Sequence, residues 1–104
     1  MRVQVKRFMC DKHLVLGALY DVVEKLHWTL ISANSEEGIL IVAERVTKML
    51  FLIRVNREEA GHTEITMELA SGTFDGVQPE KEASCLLDML TQIIDNALNY
   101  KKIN

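Results

Sequence analysis

The stretch from residue 48 to residue 70 constrains the fold more than any other part of the chain. Met49, Phe51, Ile53 and Val55 alternate with Lys48, Leu50, Leu52, Arg54 and Asn56. Past a turn at 58–61, Thr63, Ile65, Met67 and Leu69 alternate with His62, Glu64, Thr66, Glu68 and Ala70. A period of two sends successive side chains to opposite faces, so each run reads as a strand with one apolar side. With a symmetric turn, Phe51 falls opposite Leu69, Ile53 opposite Met67 and Val55 opposite Ile65, and every inward pair is apolar. An antiparallel pair of this kind must bury its apolar side under another layer.

The rest of the chain supplies that layer. Residues 2–8 alternate, with Val3 and Val5 on one face and Gln4 and Lys6 on the other, which predicts a first strand. Asp11 offers a side-chain acceptor to the free amides of a helix start, and Leu14, Val15, Ala18, Leu19, Val22, Val23 and Leu26 follow at helical spacing. His27 and Trp28 mark the end of that helix. Strands follow at 28–33 and 39–45, separated by turn residues at 34–38, and a short connection at 46–48 leads into the fourth strand. After a loop at 71–78, Pro79 suits the first position of a closing helix, with Glu80 and Glu82 in its first turn and an end near residue 100.

The expected fold is therefore α+β, with element order β-α-β-β-β-β-α. The first helix separates strand one from strand two, so strand one joins the far edge beside strand five. The result is a five-stranded antiparallel-rich sheet of order 1-5-4-3-2 with two helices on one face. With 104 residues, of which 48% are apolar, the chain has material for one core and one domain.

This order of elements resembles the TATA-binding-protein-like and helix-grip folds. The helix ending in Leu26, His27 and Trp28, followed by paired strands carrying Gly38, Ile39, Ile41 and Ala43, resembles small uncharacterised bacterial domains. The resemblance implies a fold and no activity, because fold alone does not carry function.

Charge and cysteine usage narrow the function classes. A net charge of -3 disfavours a protein whose main task is holding phosphate backbone, so nucleic acid is not the expected partner. The first ten residues lack the charged start, apolar run and small-residue cleavage site of an export signal, and the apolar runs are too short for a bilayer. The expected compartment is the cytoplasm, with no membrane partner. Cys10 and Cys85 read most simply as two thiols there, with a single disulfide as the alternative. No residue pattern calls for a cofactor.

Several local patterns invite a chemical reading. Cys10 and His13 have the spacing of half a metal site, but zinc needs three or four ligands and His27 lies too far along the helix to help. Cys10 near a helix start, with Lys12 and His13 close by, suggests a reactive thiolate, although Asp11 opposes it and no general base is announced. The glycine-bearing loop at 71–76 lacks the Gly-Lys-Ser/Thr ending of a phosphate loop, and Phe74 reads as its anchor on the core rim. Arg2 and Lys6 would face Glu64 and Glu68 as cross-strand ion pairs. Arg45, Lys48, Arg54 and Arg57 make the one basic concentration, and a solvated face explains it adequately.

Two features point toward binding. With the 46–48 connection also taken as symmetric, Leu40 and Val42 on strand three and Leu50 and Leu52 on strand four point away from the helices, with Arg54 beside them. Adjacent aliphatics on an open sheet face call for a cover. The closing helix is also apolar over about half its circumference, through Leu86, Leu87, Met89, Leu90, Ile93, Ile94, Ala97, Leu98 and Tyr100. The expected function is a non-catalytic binding or protein-interaction module that forms a homodimer through the outer sheet face. The alternative is a carrier for a small apolar molecule, with Met49, Met67 and Met89 lining a pocket between helices and sheet.

Overall fold

The computed structural model describes residues 2–72 and 76–103, with side chains at 4–59, 61–72 and 76–99. Elements follow in the order β1 (Arg2–Phe8), α1 (Lys12–Lys25), β2 (Thr29–Asn34), β3 (Ile39–Ala43), β4 (Leu50–Arg57), β5 (Thr63–Ser71) and α2 (Pro79–Ile103), with one 3-10 turn at Glu59–Gly61. The sheet is antiparallel throughout and ordered β1-β5-β4-β3-β2, as the alternation and the crossover helix predict. Phe51 pairs with Leu69, Ile53 with Met67 and Val55 with Ile65, the expected register.

Local chemistry explains the element ends. Asp11 occupies the N-cap position of α1, but its side chain makes no cap hydrogen bond and instead lies 4.0 Å from Arg57 Nη2. At the other end His27 adopts φ 59°, in the left-handed region. Its amide donates to the Glu24 carbonyl and the Trp28 amide donates to the Val23 carbonyl, so the last carbonyls of α1 are satisfied in a Schellman arrangement. The chain thereby reverses and delivers Trp28 into the core, where its ring stacks on Phe51 with centroids 5.6 Å apart. Gly38 closes the β2–β3 turn at φ 73°, and a side chain there would run into the Val55 carbonyl.

One core cluster unites Val15, Leu19, Val22 and Val23 of α1 with Leu86, Leu87, Leu90 and Ile94 of α2, and both helices with the inward residues of the sheet. Gln4 Nε2 donates to Ser84 Oγ at 2.9 Å, which fixes α2 over the same face as α1. The helices lie on this one face, and the opposite face carries neither.

Two expectations about facing are corrected here. Leu40 and Val42 do not point away from the helices: Leu40 is opposite Ile53, Val42 is opposite Phe51, and both are fully buried in the core. The physical reason is the β3–β4 connection, where Glu44 leaves the strand to build a turn. Its Oε2 accepts from the Val46 amide at 3.0 Å, the Thr47 amide at 2.6 Å and the Thr47 hydroxyl at 2.7 Å. The third strand therefore stops at Ala43, two residues short of the expected end, and Ala43 pairs with Leu50. That shifts the register by one residue, and a one-residue shift reverses every side chain. Likewise Lys6 is opposite Ile65 on the helix side, and Arg7 rather than Lys6 faces Glu64.

Candidate interaction surface

The helix-free face carries Ile39, Ile41 and Ala43 on β3, Leu50, Leu52 and Arg54 on β4, Glu64, Thr66 and Glu68 on β5, and Val5 and Arg7 on β1. Ile41 stands opposite Leu52, Ile39 opposite Arg54 and Ala43 opposite Leu50. Ile39, Ile41, Leu50 and Leu52 are each partly exposed, so an aliphatic strip runs across two neighbouring strands. Of the residues predicted for an interaction face, Leu50, Leu52 and Arg54 lie on it, while Leu40 and Val42 belong to the core. Their places are taken by Ile39 and Ile41. The signal that could have found these two is Glu44 followed by Thr47, a carboxylate set to bind the amides of a turn.

Charge frames the strip with both signs. Arg54 Nε lies 3.9 Å from Glu68 Oε1, and Arg7 lies 3.2 Å from Glu58 and 3.3 Å from Glu64. These pairs are solvated and contribute little to stability, but they leave no one-sided field across the face. Arg45 and Lys48 sit in the β3–β4 connection and Arg57 at the far end of β4, so the four basic residues do not converge. Arg54 and Arg57 face acids, which weakens their draw on an acidic partner.

The edge strand β2 is the second open feature. Every one of its six residues is exposed, including Leu30 at 41% and Ile31 at 53%. Its far end is nevertheless pinned: Tyr20 Oη and Ser35 Oγ share a hydrogen bond of 2.9 Å, Asn34 Oδ1 accepts from the Glu37 amide at 3.1 Å, and Lys12 Nζ donates to the Glu36 carbonyl at 3.4 Å.

The other candidates separate in space. Met49 and Met67 are fully buried in the core, and Met89, on α2, packs partly against it. The apolar breadth of α2 serves two contacts, one with the sheet beside β1 and one with α1. Between the helices runs an open groove of 430 Å³, lined by His13, Leu14, Gly17 and Asp21 of α1 and by Ile93 and Ala97 of α2, among others. Cys10 is buried, and burial first and the Asp11 charge second push its thiol above the ordinary value. Its carbonyl accepts a 2.8 Å hydrogen bond from Thr63 Oγ1. His13 lies on the exposed side of α1, so Cys10 and His13 do not form one site. Both cysteines are free, with Cys85 exposed on α2. Phe74 and the centre of the 71–76 loop lie outside the described residues. Among the described residues, no helix is long and apolar enough to cross a membrane.

No protein-family model matches the chain, and no curated protein matches it.

Proposed function

We propose that this chain is a non-catalytic protein-interaction module that associates with a second copy of itself through the outer face of its sheet. The observation carrying the reading is the strip formed by Ile39, Ile41, Leu50 and Leu52 on the side without helices. Contiguous aliphatics of this kind are withdrawn from water by a partner surface. A second copy suits the rim as well as the strip, because Arg54 and Glu68 lie side by side and a two-fold axis can set each against its opposite in the partner. The non-catalytic reading draws on Cys10, whose buried, protonated thiol is a poor nucleophile.

Native mass spectrometry tests the proposal directly. The expected spectrum contains assemblies of more than one chain, and Ile41→Glu combined with Leu52→Glu lowers the subunit number while far-UV circular dichroism stays unchanged. Identical assemblies in the folded double variant overturn the reading.

A second reading, a carrier of a small apolar ligand, is favoured by the apolar floor of the groove between α1 and α2. It predicts saturable binding of a fatty acid or aromatic dye that Ile93→Asp abolishes. Binding undiminished in that variant rejects the groove.

A further inference from the structure

We infer that β2 is a pairing edge for the β2 strand of a second copy, joining two five-stranded sheets into one. This contact lies on a different surface from the aliphatic strip and stands or falls separately from it. A strand normally contributes to folding by burying at least one face. β2 buries neither, since all six residues of Thr-Leu-Ile-Ser-Ala-Asn are exposed and only its β3 side is paired. Its outward amides and carbonyls form an open template for another strand.

The two edges of the sheet differ in how they treat such a partner. β1 carries Lys6 and Arg7 side by side, and charged residues on an edge strand disfavour its pairing with a second copy of itself. β2 carries no charge and no proline, and it presents Leu30 at 41% and Ile31 at 53% exposure. Three pairings are available to identical chains. β1 against β1 sets cations against cations. β1 against β2 is head-to-tail and leaves a free edge at each end for further addition. β2 against β2 is antiparallel about a two-fold axis and closes on itself, using the uncharged edge of both copies.

Preorganisation strengthens the case. The bonds from Tyr20 to Ser35, from Lys12 to the Glu36 carbonyl and within the Asn34 turn anchor the far end of β2 before any partner arrives. Little ordering entropy is then lost on pairing. The bulge between Leu30 and Ser32 twists the strand and restricts the paired length, which favours a two-chain contact over stacking of many chains. Pairing also sets the β3 strands of the two copies three strand spacings apart, about 14 Å. The two aliphatic strips then lie on one continuous face.

Hydrogen exchange of the β2 amides, measured at low and high protein concentration, separates edge pairing from face packing, because only edge pairing gives the outward amides new acceptors. In the native chain and in the face variant Leu52→Glu, these amides are expected to exchange about tenfold more slowly at high concentration. Ile31→Lys, at an exposed position, is expected to remove the slowing with the melting temperature retained. Self-association with β2 exchange independent of concentration overturns the edge contact and leaves the face reading standing. Slowing that survives Ile31→Lys also overturns it, and a monomer at every concentration overturns both readings.

Discussion

Ile41 stands directly opposite Leu52 across β3 and β4, on the side of the sheet that neither helix touches. One residue away, Leu40 stands opposite Ile53 in the fully buried core. The two pairs share a backbone and differ only in facing. Leu40→Ala is therefore expected to cost about 2–5 kcal/mol through lost burial and a residual cavity. Ile41→Thr is expected to cost less than about 1 kcal/mol in the monomer. Urea unfolding of both variants at a concentration that keeps the chain monomeric checks the difference, and a reversed order would return β3 to the slipped register.

Glu44 makes stability depend on pH. Burial alone would raise its carboxyl above the ordinary value of 4.5, but hydrogen bonds from the Thr47 hydroxyl and from the Thr47, Val46 and Arg45 amides outweigh burial and lower it. A depressed folded value means stability that is fully present above the unfolded value and is lost as pH falls through the folded one. Glu44→Gln is expected to cost about 1–2 kcal/mol at neutral pH and to flatten the fall in stability below pH about 4.5. Denaturant midpoints from neutral to acid pH read both effects.

His27 holds a left-handed conformation at the end of α1 with its side chain exposed. Glycine adopts that conformation without the steric cost borne by a residue with a Cβ. His27→Gly should raise stability by about 0.5–1 kcal/mol, seen as a higher melting temperature. A lower one would show that the imidazole does more than cap the helix.

Thr63 is buried, and its hydroxyl satisfies the Cys10 carbonyl where β1 passes into α1. Thr63→Val keeps the shape and removes the donor, so a carbonyl is left unpaired at a cost of about 1–3 kcal/mol. Amide exchange near Cys10 should speed up together with the loss of global stability.

The two thiols should differ in reactivity. Cys85 is exposed on α2, whereas Cys10 is buried and held protonated. An alkylating reagent is expected to modify Cys85 in the folded chain and Cys10 only after unfolding, with peptide mass mapping as the readout. Equal rates at neutral pH would contradict the burial of Cys10.

The sequence by itself determined what depends on neighbours along the chain. Alternation at 49–55 and 63–69 specified the β4–β5 register, because two apolar faces joined by a short turn have one pairing that keeps both inside. Pro79 with Glu80 and Glu82 marked the start of α2 for an equally local reason, the fixed φ of proline and the field at a helix N-terminus. The same helix runs to Ile103, beyond the expected end near residue 100. Tertiary structure decided the facing of β3, and with it which aliphatics form the open strip. That choice hung on whether Glu44 continued the strand or turned its carboxylate onto the Val46 and Thr47 amides, and hydrophobic periodicity is blind to such a side-chain hydrogen bond. It also decided that β2 is exposed on both faces, since burial at a sheet edge depends on where the helices come to rest above it, and that Arg7, not Lys6, meets Glu64, because the β1–β5 register shifts by one residue between Arg2 and Gln4 and reverses the facing of the residues that follow.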